Sequence, residues 1–185
     1  MEHSESDSIL DIKITKSFKK GLECKFLNVT IVSFTKEKFG GKLKNYLFEN
    51  EKGYNTSNEI VKLAYNLQKN KFNKNYNLEN FLMVSSFQKN VTTRKNSEGS
   101  GGKGLTFLIE TLIDSSLADY CYVMNGNTAI FLKKPYLRLN IDGTIGFNEK
   151  NDYFENLPSS QIVHNEKRCF NGTIHNLSFI LEGGE

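Results

Sequence analysis

Apolar and polar positions first alternate along this chain and then change period. Residues 10–14 (Leu-Asp-Ile-Lys-Ile) alternate strictly, and residues 26–32 form a longer apolar run, so two strands are expected, with Lys19-Lys20-Gly21 as the turn between them. A lysine-rich helical stretch follows Gly40-Gly41. Residues 58–70 place Ile60, Val61, Leu63, Ala64 and Leu67 at helical spacing. Residues 70–80 are dense in Asn and Lys and read as a solvated loop, after which the chain turns apolar at Phe81-Leu82-Met83-Val84. Leu105, Leu108, Ile109, Leu112 and Ile113 fall at i, i+3, i+4, i+7 and i+8, which predicts a helix over 105–117 with a face wide enough to cover a sheet.

The last third reads as strand at 118–124, 128–132, 136–141 and 173–181, with Asn125-Gly126 as a tight turn and 146–160 as a loop. The expected class is α+β: a two-layer sandwich with a mixed, largely antiparallel sheet covered by helices on one face. Residues 1–9 are acidic and polar and read as a disordered lead-in, leaving 10–185 as a single domain. The opening segment lacks the pattern of a signal peptide, and no apolar run approaches the ~20 residues that span a bilayer.

Composition narrows the classes. The 24 basic and 21 acidic residues leave a net charge of +3, too balanced for the dense basic face that nucleic-acid binding uses. The Lys/Asn-rich residues 62–77, with Tyr65, Phe72 and Tyr76 interleaved, are the one segment with a single-strand-binding look, and nucleic acid is not the expected partner. Cys24, Cys121 and Cys169 are distant and odd in number, as expected of reduced thiols in the cytoplasm. His164, Cys169 and His175 match no common metal-finger spacing, and no metal site is expected there. Glu110 and Asp114 fall at i, i+4 and read as a solvated helix face.

The stretch 97–105, Ser-Glu-Gly-Ser-Gly-Gly-Lys-Gly-Leu, carries the chemistry. It leads straight into the 105–117 helix, where unpaired backbone N–H groups and a partial positive charge favour an anion. Small residues let a phosphate approach closely, and Lys103 adds a charge. The same letters are equally those of a flexible linker. A phosphate loop of the G-x-x-x-x-G-K-[ST] type fails at Ser97 and at Gly104, and a dinucleotide fingerprint lacks the strand that should precede it.

Phe87, Thr92-Thr93-Arg94, Gly99-Ser100-Gly101-Gly102-Lys103-Gly104-Leu105, the helix after it and Gly172-Thr173 before the last strand together resemble the C-terminal half of the GHKL ATPase domain, the superfamily of histidine kinases, gyrases and mismatch-repair ATPases. The resemblance spans about residues 29–181 and is specific over 87–112. It implies a Bergerat-like fold that binds ATP or ADP, with Mg²⁺ accompanying the nucleotide. Thr92, Thr93 and Arg94 would belong to the lid, Gly99, Gly101, Gly102, Lys103, Gly104 and Leu105 would hold the phosphates, and Thr173 would open the last core strand. Ser33 takes the place of the family's adenine-binding Asp, as a neutral acceptor. The family's metal-binding Asn and general-base Glu have no counterpart upstream of Ser33, so the resemblance implies binding and switching more than turnover. ATP hydrolysis would need completion by a partner chain. The expected role is a regulatory subunit of a cytoplasmic complex, hetero- or homo-oligomeric, of the kind found in bacterial stress or phage defence. The alternative is a degenerate member of the fold that has lost nucleotide binding and serves as a protein-interaction subunit.

Overall fold

The computed structural model describes residues 8–19, 22–35, 40–48, 59–92, 104–115 and 121–181. The two expected N-terminal strands are β1 (Ser8–Lys19) and β2 (Leu22–Phe34), paired antiparallel from Ser8↔Ser33 to Lys19↔Leu22. The turn expected at Lys19-Lys20-Gly21 falls on residues 20 and 21, which lie outside the described residues, as does the lead-in before Ser8.

Four helices follow among the described residues. They are α1 (Gly41–Phe48), α2 (Glu59–Gln68, running into a 3₁₀ turn at Lys69–Lys71), α3 (Leu78–Ser85) and α4 (Gly104–Ser115). The helices expected after Gly41, around 58–70 and from 105 are therefore present. The Asn-rich 70–80 stretch is only in part a loop, because its last residues start α3. Asn77 and Asn80 form a reciprocal capping box: the Asn77 side-chain Oδ1 accepts from the Glu79 and Asn80 backbone N–H, and the Asn80 side chain accepts from the Asn77 N–H. Phe81 to Val84 show no helical periodicity because the whole run is buried.

The C-terminal third differs most from expectation. β3 (Tyr122–Phe131) runs straight through Asn125-Gly126, which is not a hairpin turn. Gly126 takes a left-handed φ of 62° inside a bulged strand pair, a conformation that glycine adopts without Cβ strain. No strand forms at 136–141. Pro135 lacks a backbone donor and sits in a 3₁₀ turn (Lys134–Tyr136), and a turn closes at Gly143 N–H to Asn140 C=O. The strand expected at 173–181 is the second half of β4 (Val163–Leu181).

The sheet order is β1-β2-β4-β3, and every pairing is antiparallel rather than mixed. The class is α+β. The inner face carries Val29, Val123, Ile130, Leu177 and Phe179 against a core built from Leu43, Val61, Phe81, Leu82, Phe87, Ile109 and Leu112 of the helical layer. Each fully buried side chain of this size is worth about 1.5–3 kcal/mol against leaving it exposed. The long connection from 137 to 162, of which 146–160 is the part expected as a loop, is tied down by its own Asn and Asp side chains. Asn148 donates to the carbonyls of Gly146, Asp152 and Asn156, and Asn151 accepts from the Gly146 N–H.

Candidate anion site at the head of helix α4

Register brings three polar residues into one line across three neighbouring strands. Ser33 on β2 faces Thr173 on β4, and Thr173 faces Asn125 on β3. Directly opposed residues of antiparallel strands share a face, so the three form a row on the inner side of the sheet. Asn125 donates from Nδ2 to the Thr173 hydroxyl and to the Gly172 carbonyl, each at 2.8 Å. Asn125 and Thr173 are buried, and Ser33 is half-buried. Gly172 makes the row possible: it takes a φ of 153°, and a Cβ there would lie 2.1 Å from the Ser33 carbonyl oxygen. Only glycine lets β2 close on β4 at this point.

The next row inward pairs Ile31, His175 and Val123. Burial lowers the His175 pKa from its ordinary value, which keeps the imidazole neutral. The polar row is thus bordered by a neutral ring and then by the apolar pair Val29 and Leu177.

Helix α4 packs against β4. Thr106, Ile109 and Leu112 form its buried face, with Leu105 half-buried against the core. Thr106 is an unusual occupant of that face. It is only 3% exposed, and its hydroxyl has no hydrogen-bond partner among the described residues. An unsatisfied buried hydroxyl costs about 1–3 kcal/mol, and it sits in the first turn, where backbone N–H groups are also without intrahelical partners. Gly104, at the very start, has no atom within 4 Å of where a Cβ would stand. Crowding among the described residues therefore does not explain this glycine.

The sequence-derived site residues divide cleanly. Ser33 and Thr173 are brought together by register, and Gly104 and Leu105 begin α4. Thr92 is buried beside the core residue Val91. Thr93, Arg94, Gly99, Gly101, Gly102 and Lys103 lie outside the described residues. Sequence reasoning missed Asn125, taken as a turn residue, and Thr106. A signal for the second was available: a β-branched polar residue stands at a position whose i+3 neighbour, Ile109, faces the core. Glu110 and Asp114 are exposed, in keeping with a solvated helix face. No helix among the described residues is long and apolar enough to cross a membrane. No protein-family model matches the chain, and neither does any curated protein or solved structure.

Proposed function

We propose that this chain is a nucleotide-binding domain of the GHKL type, with a Bergerat-like fold, that receives ATP or ADP phosphates at the head of α4 and acts as a regulatory subunit. The observation that carries the reading is the unpartnered, buried Thr106 hydroxyl in the first turn of the helix that the glycine-rich stretch enters. A phosphate oxygen there would satisfy that hydroxyl together with the free N–H groups, in a charge-assisted geometry. Ser33 and Thr173, set side by side at the end of the inner face, suit the opposite end of such a ligand: neutral hydroxyls that accept from an adenine amino group. Mg²⁺ enters the reading only as a companion of the phosphates. The lid would draw on Thr92 to Arg94, and a segment that answers to the nucleotide is a common means of signalling nucleotide state to a partner.

The test is calorimetric titration with ATP and Mg²⁺ of the wild-type chain, Thr106→Val and Gly104→Asp. Gly104→Asp introduces a carboxylate where a helix N-terminus tolerates one, so the fold persists while the built-in anion competes with phosphate. Binding to wild type, weakened about tenfold or more by Thr106→Val and abolished by Gly104→Asp, supports the proposal. No binding at millimolar ATP overturns it. The neutral Ser33 in place of an anionic acceptor would then favour the alternative, a protein-interaction subunit without nucleotide.

A further inference from the structure

The outer face of the sheet holds a second concavity, on the side away from the helices. Its cause is a length mismatch. Between the pairs Asn125↔Thr173 and Thr128↔Asn165, β3 advances three residues while β4 covers eight. The surplus in β4 arches away from its neighbour and leaves a cavity of about 630 Å³ over β3. Tyr122, Met124, Ala129 and Phe131 form its floor, and Asn165 to Arg168 form its rim.

Chemistry is distributed unevenly around this cavity. The floor is apolar and aromatic: the rings of Tyr122 and Phe131 stand 5.9 Å apart, and the His164 ring lies nearly parallel to Phe131 at 5.3 Å. At the rim, Glu166 is engaged with His164 Nε2 at 3.0 Å. Lys167 and Arg168 are exposed and make no ion pair or hydrogen bond among the described residues. An aromatic floor beside two uncommitted cations is complementary to a flat apolar body that ends in an anion. The volume falls within the range of about 300–1,000 Å³ typical of small-molecule sites, and is short of a groove that would seat a helix.

We propose that this cavity binds a small organic acid with a planar apolar body, an aromatic or unsaturated carboxylate or sulfonate. The body lies on Tyr122, Met124 and Phe131, and the acid group meets Lys167 and Arg168. The site is separate from the head of α4, because its floor side chains lie on the opposite face of β3 from Val123 and Ile130, which belong to the core.

The experiment is a fluorescence titration of the full chain with 1-anilinonaphthalene-8-sulfonate, beside its uncharged relative N-phenyl-1-naphthylamine. The sulfonate should bind with a salt-dependent affinity that falls at least tenfold in Lys167→Glu/Arg168→Glu, two exposed positions where reversal leaves the fold intact. The uncharged relative should bind more weakly and ignore the reversal. Phe107→Ser, at an exposed apolar side chain on α4, serves as a control for adhesion to any greasy surface and should change nothing. Affinity that survives the charge reversal, or that falls with Phe107→Ser, overturns the proposal. Displacement of the probe by ATP overturns it too, since that would place the probe at the nucleotide site.

Discussion

Helices α3 and α4 both press a buried face toward the sheet, yet they begin in opposite ways. The start of α3 is closed. Asn77 and Asn80 cap each other, and Asn80, fully buried, donates onward to the Thr128 hydroxyl at 3.3 Å and to the Asn165 side-chain Oδ1 at 2.9 Å. At its other end the Ser85 hydroxyl donates to the Phe81 carbonyl and meets the Tyr153 hydroxyl at 2.7 Å. The start of α4 is left open among the described residues: a Cβ on Gly104 would meet nothing within 4 Å, and the buried Thr106 hydroxyl has no hydrogen-bond partner there. Where polar groups serve the fold alone, the fold satisfies them. A group left unsatisfied beside a helix N-terminus is the exception that asks for an explanation.

The largest expected effect lies at the closed end. Asn80→Ala removes the capping box and leaves Thr128 and Asn165 without their shared donor, and should cost about 2–3 kcal/mol in urea denaturation. A change well below 1 kcal/mol would mean that α3 is not held as described.

A paired substitution tests the contrast itself. Asn77→Ala should destabilise the free protein by about 1 kcal/mol. Thr106→Val, near in shape but without the hydroxyl, should stabilise it by about the same amount, because an unpaired polar group leaves the interior. If both variants lose stability, Thr106 is a satisfied structural residue and the open end of α4 is an illusion.

The smallest effect is one of pH, on β4 where α4 packs. The His175 pKa is lowered by burial, so the folded chain resists protonation that the unfolded chain accepts. Stability from this residue is level above pH ~6.5 and declines below it, by at most about 1.4 kcal/mol per pH unit. In His175→Gln the slope of stability between pH 7 and 5 should flatten. Asp152 contributes at lower pH. Burial alone would raise its pKa, but hydrogen bonds from the Asn156 side chain and from the Glu155 and Phe154 N–H groups outweigh it and hold the carboxyl low. Its share is present above the ordinary carboxylate range and is lost as pH falls through the depressed value.

Elements with one covered face were legible in the sequence, because period reports which side is buried. This holds for α4, and for α2 at Val61 and Ala64, although Leu63 and Leu67 of α2 are exposed; in β1 the alternation of 10–14 does not report a covered side, since Ile12 is exposed. It fails for Phe81 to Val84, buried all round, where no period remains to read. It also fails at Asn125-Gly126: the dipeptide offers a left-handed glycine, but whether that glycine makes a hairpin or a bulge depends on the partner strand, dozens of residues away. The site was legible to the same extent. Gly104 and Leu105 begin their helix as the local pattern requires. Asn125 joins Thr173 only through long-range register, which no local pattern encodes.

The place of β4 in the sheet has a consequence in time. It is the last of the described strands, and it lies between β2 and β3, with residues such as Thr30 and Asn176 meeting across 146 positions of sequence. Until β4 docks, β2 and β3 share no edge, and Ser33, Thr173 and Asn125 are three unrelated side chains. Pairings this distant form late and slowly. The polar row therefore exists only once β4 has docked, and a ligand that holds it would act as a clasp on the completed sheet, slowing its opening more than it speeds its assembly.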